Sequence, residues 1–194
     1  IYYHNITPAH YFYRSNGHLA RQLEEARRDL KALAGQAPAI TDSPYNALEL
    51  RELGFEILGI VPPVLNLARL DVDSPNYGAT AIASKFPKQG RHDWLYVGRI
   101  VPNKCIRDII KTFYYYHTWT DSQSRPLLVG ATGIAQPYMD EMLQLAKRLG
   151  VSQSVIFTGH VTNDKLVSIY RMADLYVSMS DHEGFCVPIV EAMY

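Results

Sequence analysis

DWLYVG at residues 93–98 and NKCIRDIIKTFYYYHTW at residues 103–119 decide the fold, because they begin a pattern that repeats to the end of the chain. The first stretch is typical of a short buried strand and the second of a helix. The pattern returns as RPLLVG (125–130) with PYMDEMLQLAKRLG (137–150), SVIFTG (154–159) with NDKLVSIYRMA (163–173), and DLYVSMS (174–180) with PIVEAMY (188–194). Such alternation indicates βαβ units with a parallel sheet buried on both faces. The right-handed crossover rule then predicts a doubly wound, Rossmann-like α/β domain.

The first 65 residues predict a similar arrangement with a weaker pattern. Strands are expected at IYYHN (1–5), APAIT (37–41) and FEILGIVPPV (55–64), with an amphipathic helix over 17–33 and a helix in 42–54 capped by Ser43. Residues 66–91 are rich in Asp, Ser, Pro, Gly and Lys, which is typical of a linker. We therefore predict domains at 1–65 and 92–194, joined by a loosely ordered linker at 66–91. Because both ends of the chain fall within predicted elements, both domains are expected to be incomplete.

Composition limits the classes of function. The chain has 19 basic and 19 acidic residues, so no overall field favours nucleic acid as a partner. No apolar run approaches the roughly 18 residues needed to span a bilayer. Two cysteines, Cys105 and Cys186, cannot form a disulfide framework and favour a reducing, cytoplasmic location.

Four loops follow the carboxyl ends of the predicted strands, where open parallel sheets bind ligands. In VGRIVPNK (97–104), Gly98 permits a sharp turn, and Arg99 and Lys104 are two cations suited to a diphosphate. The alternative is a pair of solvated surface cations. In LVGATG (128–133), Gly130 and Gly133 permit either close approach of a ligand or an ordinary turn.

The third loop, FTGHVTNDKL at residues 157–166, places a backbone edge after a strand. The backbone of His160 and Val161 is suited to hydrogen-bond a flat base, and Leu166 to pack against it. As a side chain, His160 is more often a surface histidine than a catalyst. Asn163 or Asp164 could simply cap the following helix.

The fourth loop, SMSDHEGFCVPIVEAM at residues 178–193, carries the most information. Residues 180–183 leave the strand, GFCV (184–187) forms a tight turn, and Pro188 suits the first turn of a helix. N–H groups around 184–187 would then face an anion or a sugar. Glu183 and Glu191 on either side could hold the hydroxyl pairs of two sugars. The alternative is a surface Glu183 and a Glu191 that only compensates the helix dipole.

With these loops in order, residues 94–194 resemble the retaining glycosyltransferases of family 4, which have the two-domain GT-B fold. The resemblance rests on YVGRIVPNK, VIFTGHV, YRMADLYVSMSDHEGF and, above all, EGFCVPIVEAM, which has the family's two glutamates separated by seven residues. The first 65 residues resemble the end of the family's N-terminal domain more weakly. Many members have glycine where this chain has Cys105, expected on the helix after Lys104, and Cys186.

The resemblance implies roles for individual residues. Arg99 and Lys104 would hold the donor diphosphate and stabilise the leaving group, whereas Glu183 and His4 would contact the donor sugar. The remaining predicted donor-binding residues are Gly98, Gly130, His160, Val161, Leu166, Ser180, Gly184, Phe185, Cys186, Val187 and Glu191, the last at the ribose hydroxyls.

The implied reaction transfers a sugar from a nucleotide-diphosphate sugar to an acceptor hydroxyl, with retention of anomeric configuration and without a metal or other cofactor. A carbohydrate or lipid-linked acceptor is expected. Two alternatives stay open: a nucleotide-sugar epimerase of the same architecture, and a nucleotide-binding piece inactive by itself. The basic helix over 17–33 also permits peripheral contact with the inner face of a membrane, although Glu24, Glu25 and Asp29 favour an ordinary solvated face.

Overall fold

A computed structural model of the chain describes residues 1–71, 87–88 and 90–194. Contacts between residues divide it into two compact units. The first unit comprises residues 1–66 and 182–187, and the second comprises residues 67–181 and 188–194.

The first unit contains a parallel sheet of three short strands. These are β1 (Tyr2–Tyr3), β2 (Ala39–Thr41) and β3 (Ile57–Ile60), in the order β1-β2-β3. A 3-10 helix (Ala9–Phe12) and helices α1 (Gly17–Ala32) and α2 (Pro44–Glu52) accompany them. The core of the unit is a cluster of buried apolar residues from the strands, the helices and the turn after α2: Tyr3, Leu30, Ala39, Leu50 and Phe55.

Side-chain caps fix where both helices of the first unit begin. The Ser43 hydroxyl accepts a hydrogen bond from the Asn46 N–H at 3.2 Å, which confirms the predicted cap of α2. The Asn16 side chain accepts from the Leu19 N–H at 3.0 Å and caps α1. Each cap satisfies an N–H group that the first turn of a helix leaves without a partner.

The second unit contains a four-stranded parallel sheet in the order β6-β5-β4-β7. Its strands are β4 (Asp93–Val97), β5 (Arg125–Val129), β6 (Ile156–Gly159) and β7 (Leu175–Tyr176). Its helices are α3 (Ile106–Trp119), α4 (Gln136–Arg148), α5 (Asn163–Met172) and α6 (Val187–Met193), with 3-10 helices at Leu67–Leu70 and Pro102–Lys104. The first residue of α6 groups with the first unit.

Side chains cover both faces of this sheet. On one face, Leu95, Leu127 and Val129 pack with Ile169 of α5 in one buried cluster. On the other face, the Trp94 ring lies 5.8 Å from the Phe113 ring and 5.0 Å from the Tyr116 ring, both on α3. Because neighbouring strand residues point to opposite faces, β4 is buried on both sides. The predicted parallel α/β fold is confirmed.

Two local predictions differ from the structure, and a third lies largely outside the described residues. The predicted linker at 66–91 falls largely on residues 72–86 and 89, outside the described residues, while its start forms the 3-10 helix Leu67–Leu70. Helix α3 begins at Ile106 instead of Asn103, because a separate 3-10 turn precedes it. Strand β7 has only two residues, since it pairs with β4 only at Trp94 and Leu95.

A buried ion pair joins the starts of β4 and β5. Arg125 donates from Nε to Asp93 Oδ1 at 2.7 Å and from a terminal nitrogen to Asp93 Oδ2 at 2.9 Å. The two side chains are 4% and 0% exposed, so neither charge can be hydrated if its partner is lost. The pair therefore makes the register of the two central strands specific.

Replacing Asp93 with Ala is expected to lower the free energy of unfolding by about 3–5 kcal/mol, because Arg125 would stay buried without its counter-charge. The control is Glu141→Ala, which removes the Arg107–Glu141 pair, whose side chains are 43% and 45% exposed. That change should cost less than about 1 kcal/mol. Urea unfolding measures both values, and equal losses would contradict the role given to the buried pair.

Candidate functional site

The second unit has one topological switch point. The chain passes from β4 to β5 and β6 on one side of the sheet and then returns to place β7 on the other side of β4. The loops that follow β4 and β7 therefore leave neighbouring strands in opposite directions, and the carboxyl ends of such strands are where open parallel sheets bind ligands. A backbone hydrogen bond of 3.0 Å from the Asp181 N–H to the Asn103 carbonyl joins the two loops.

Gly98 and Gly130 allow the loops after β4 and β5 to lie in direct backbone contact. The Gly98 N–H donates to the Val129 carbonyl at 2.9 Å, and Gly130 has a φ of 153°. A Cβ atom added at Gly130 would lie 1.8 Å from the Gly98 carbonyl oxygen. The sequence left two alternatives for Gly130, an ordinary turn or the close approach of a ligand. The structure shows that the turn itself requires glycine, because the Gly98 backbone leaves no room for a Cβ atom.

Gly130→Ala is expected to destabilise the protein by at least about 2 kcal/mol, because the added methyl group would overlap the Gly98 carbonyl and force the two loops apart. Gly133→Ala is the matched control in the same loop, since nothing lies within 4 Å of a Cβ atom there. It should change the unfolding free energy by no more than about 0.5 kcal/mol. Thermal unfolding of both variants tests this, and a Gly130→Ala protein as stable as the control would refute the assignment.

The two predicted diphosphate cations differ in environment. Arg99 is exposed, and its guanidinium makes no ion pair with the residues that the structure describes. Its carbonyl accepts a hydrogen bond of 3.1 Å from the Tyr96 hydroxyl, which fixes the backbone beneath the side chain. Lys104 ends the 3-10 helix and is half-buried. Both therefore lie on the loop that leaves β4 at the switch point, with the Arg99 charge facing water.

Glu191 lies on α6 and is buried, with 5% of its side chain exposed. Arg69, from the 3-10 helix Leu67–Leu70, forms an ion pair with its Oε1 atom. The Tyr170 hydroxyl on α5 donates to its Oε2 atom at 2.8 Å. The carboxylate is therefore a fixed acceptor with a resident cation, not a surface charge at a helix end.

The loop after β6 holds the three residues predicted to face a base. His160 is exposed, whereas Val161 and Leu166 are half-buried against the apolar cluster of the sheet. The alternative of a cap by Asn163 or Asp164 is wrong: both lie in the first turn of α5, and the preceding Thr162 makes no side-chain cap. Asn163 instead accepts a hydrogen bond of 3.0 Å from Arg69.

Ser180 lies on the loop after β7, and its hydroxyl is 3.2 Å from that of Ser178. Of the predicted site residues in the second unit, only Glu191 also lines a cavity of about 340 Å³, whose walls include Leu70, Tyr170, Asp174 and Tyr194. Ala173, Asp174, Leu175 and Tyr176 also line this cavity, which therefore lies beside β7. Within the described ranges, no three His, Cys, Asp or Glu side chains cluster as a metal site.

In the first unit, His4 follows β1 and belongs to a polar network. Its Nδ1 atom is 3.4 Å from Asp42 Oδ2, and the other Asp42 oxygen accepts from the Asn46 amide at 2.6 Å. Asn46 in turn accepts a hydrogen bond of 2.6 Å from Asn5. Asp42 and Asn46 are buried, while 60% of the His4 side chain is exposed. The network places one ring nitrogen of His4 beside the Asp42 carboxylate and leaves the ring accessible.

Residues 182–187 group with the first unit, and Gly184 explains how closely they pack. A Cβ atom at Gly184 would lie 2.7 Å from the His4 carbonyl oxygen and 3.2 Å from the Asn46 amide nitrogen. His182 is buried, and its ring lies 6.3 Å from the Tyr11 ring and 5.8 Å from the Tyr45 ring. The other predicted residues of this segment, Glu183, Phe185, Cys186 and Val187, are half-buried.

Both cysteines have left-handed backbone conformations, with φ of 50° at Cys105 and 65° at Cys186. Cys105 therefore precedes α3 and does not lie on the helix as predicted. Burial raises the pKa of its thiol above the ordinary value, which makes the thiolate less available. Glycine tolerates this conformation without a steric cost, so these are positions where a side chain is strained.

Cys105→Gly is expected to raise the free energy of unfolding by about 0.5–1 kcal/mol, because relief of the left-handed strain exceeds the added entropy of the unfolded chain. Cys105→Ala is the control, since it removes the thiol but keeps the strained Cβ atom. Urea unfolding of the two variants separates the effects. A glycine variant no more stable than the alanine variant would show that φ at this position costs nothing.

Sequence patterns did not identify the residues that contact the side chains of Glu191 and His4. Arg69 lies in a stretch without regular periodicity, and Asp42 and Asn46 read only as part of a capped helix. Tyr170 carried a usable signal, because it follows Leu166 by four positions and so shares a face of α5 with it.

Comparisons with known proteins define the class first. The chain aligns with a solved structure of HepE from Anabaena in complex with UDP and glucose, with a TM-score of 0.73 and 20% identity over 86% of this chain and 45% of that chain. WaaG, a glycosyltransferase involved in lipopolysaccharide biosynthesis, gives a TM-score of 0.73 and 17% identity over 99% of this chain and 53% of that one. The two parallel α/β units thus have the GT-B fold.

The family follows from sequence. The family described as Glycosyl transferases group 1 matches residues 80–194, more than half of the chain. The chain therefore belongs to the glycosyl transferases group 1 family. It is 34% identical over 121 residues to the serotype-specific mannosyltransferase WbdA of Escherichia coli, covering 61% of this chain and 15% of that protein. It is 30% identical over 149 residues to a D-inositol 3-phosphate glycosyltransferase of Nocardia farcinica, covering 75% and 32%.

Proposed function

We propose that this chain supplies the donor-binding part of a glycosyltransferase that moves a sugar from a nucleotide-diphosphate sugar to an acceptor hydroxyl. The observation that carries the proposal is the loop after β4, which presents Arg99 and Lys104 at the switch point of the second unit. Since Arg99 is exposed and has no ion pair with the described residues, its guanidinium is available to an anionic ligand. Membership of the family supports the same reaction class.

Within the second unit, each predicted contact has a distinct role. Arg99 and Lys104 neutralise the diphosphate and the charge that develops on it as the sugar leaves. Glu191 accepts hydrogen bonds from ribose hydroxyls. The remaining contacts shape the site: Gly98 and Gly130 through their backbone, His160, Val161 and Leu166 at the base, and Ser180 after β7.

The residues grouped with the first unit serve the sugar. Glu183 accepts hydrogen bonds from donor-sugar hydroxyls, and His4 contacts the sugar through the ring that Asp42 orients. Residues 184–187 offer N–H groups to the sugar or phosphate. In support of this role, the N–H groups of Gly184 and Phe185 donate no backbone hydrogen bond to any residue that the structure describes.

The proposed chemistry retains the anomeric configuration and uses no metal. The acceptor oxygen forms a bond to the anomeric carbon as the bond to the leaving phosphate breaks, and a donor phosphate oxygen takes the acceptor proton. Two protein cations, Arg99 and Lys104, supply the charge stabilisation that a metal ion provides in other transferases. Positioning and charge, not a covalent nucleophile, are then the protein's contribution.

The names of the relatives guide the choice of substrates. Mannose is the first donor sugar to test, because WbdA of Escherichia coli is named a mannosyltransferase and a relative from Agrobacterium fabrum is named mannosylfructose-phosphate synthase. The acceptor is a carbohydrate or a lipid-linked saccharide. We place the reaction in the cytoplasm, including the inner face of the membrane. No helix in the described parts of the chain is long and apolar enough to cross a bilayer.

Arg99→Ala is expected to weaken UDP or GDP binding by about 10- to 100-fold, because a charge-assisted contact to the diphosphate is lost. Binding of the corresponding nucleoside monophosphate should fall much less. Lys111→Ala removes an equal charge from α3, where the side chain is 50% exposed, and should leave both affinities unchanged. Calorimetric titration measures them, and an equal loss for both variants would refute the diphosphate role.

The reaction itself separates this proposal from an epimerase. Full-length enzyme incubated with GDP-mannose or UDP-glucose and an acceptor should form a glycoside of the donor's anomeric configuration, read by proton NMR, at a rate that EDTA does not change. Conversion of the donor sugar without an acceptor would instead identify an epimerase. Binding of nucleotide-sugar without turnover by the 194-residue chain, with turnover restored in a longer protein, would identify a binding piece.

A further inference from the structure

One guanidinium in the second unit bridges two groups of the predicted nucleoside site. Arg69 donates from one terminal nitrogen to Asn163 Oδ1 at 3.0 Å and from the other to Glu191. Asn163 begins α5, directly after the loop that contains His160 and Val161. The ends of one rigid, planar fork thus join α6 to the start of α5.

The Glu191 carboxylate is costly to bury without partners. Its side chain is 5% exposed, and an ionised carboxylate away from water must be paired and hydrogen-bonded. Arg69 supplies the opposite charge at one oxygen, and the Tyr170 hydroxyl donates to the other at 2.8 Å. Each carboxylate oxygen thus has its own donor.

The two contacts leave the carboxylate able to bind further donors. An ionised carboxylate has about four lone-pair sites, and among the described residues Arg69 and Tyr170 each donate one hydrogen bond, to different oxygens. Each oxygen therefore keeps one acceptor site. Two acceptor sites on adjacent oxygens match a vicinal diol, such as the 2′ and 3′ hydroxyls of a ribose.

We infer that Arg69 is a positioning residue that sets recognition of the donor ribose by holding Glu191 in a fixed orientation. The inference rests on the proposed function, in which Glu191 binds the ribose. Arg69 contacts both Glu191 and Asn163. It therefore holds the ribose-binding carboxylate at a fixed distance from the start of α5. A lysine at position 69 would keep the charge but lose the fork that reaches both groups.

The test compares UDP and GDP with 2′-deoxy-UDP and 2′-deoxy-GDP by calorimetric titration of the full chain. Unaltered protein should bind the ribonucleotide about 10-fold tighter, since a hydrogen bond to a charged acceptor is lost in the deoxy form. In Arg69→Gln, this ratio should fall to about 1–2, as in Glu191→Gln. Arg69→Lys should give an intermediate ratio. A ratio is used because a general loss of structure lowers both affinities together.

Arg171→Gln is the matched control. Arg171 also contacts the Leu67–Leu70 helix, through a hydrogen bond of 3.0 Å to the Leu70 carbonyl, and the change removes the same charge. Its ratio should equal that of the unaltered protein. Thermal unfolding establishes that each variant is folded, and Arg69→Lys carries the test if Arg69→Gln is not.

The outcomes separate the two proposals. A ratio that persists in the Arg69 variants overturns the inference and leaves the proposed function standing. Binding of nucleotide with no difference between ribose and deoxyribose overturns the inference together with the role of Glu191, but not that of Arg99. Failure to bind any of the four nucleotides overturns both. A ratio lost in Arg69→Gln and kept in Arg171→Gln supports the inference.

Discussion

The contact between the backbones of Gly98 and Gly130 is the constraint on which the second unit depends. It exists because β4 and β5 end together, and because hydrogen bonds continue past the strands, from Gly98 N–H to Val129 at 2.9 Å and from Ile100 N–H to Ala131 at 3.0 Å. The loop after β4 therefore rests on the loop after β5 without a side chain between them. This support fixes the backbone from which Arg99 extends, so an exposed side chain starts from a rigid position.

The two charged side chains proposed to contact the nucleotide, Arg99 and Glu191, have opposite environments. Arg99 is exposed and has no ion pair within the described ranges, so the attraction for phosphate proposed for it would be screened by salt. Glu191 is already desolvated, and Arg69 and Tyr170 offset the cost during folding. A ligand hydroxyl that meets Glu191 thus finds an oriented acceptor, and little further ordering is required. In the proposed function, the diphosphate contact would supply attraction and the ribose contact would supply orientation.

Features that depend on neighbouring residues, such as strands, helices and caps, could be predicted from the sequence. Contacts between residues far apart in the chain could not. Alternating strands and helices predicted the parallel sheet, and Ser43 with Pro44 predicted the start of α2, because each pattern acts within a few residues. Arg69 and Glu191 are 122 positions apart, and no periodicity connects them. Cys105 was placed on a helix because a left-handed residue other than glycine leaves no trace in a hydrophobic pattern.

Backbone strain gives an independent reason to associate these segments with function. In the described part of the chain, three residues other than glycine have positive φ: Asn5 at 99°, Cys105 at 50° and Cys186 at 65°. Asn5 follows His4, Cys105 follows Lys104, and Cys186 lies in the predicted N–H turn. Each such conformation costs about 1–3 kcal/mol unless local contacts compensate, and strain of this kind clusters at ligand sites. Stability alone would favour glycine at the two cysteines, so the surrounding loops must hold a backbone geometry that their side chains oppose.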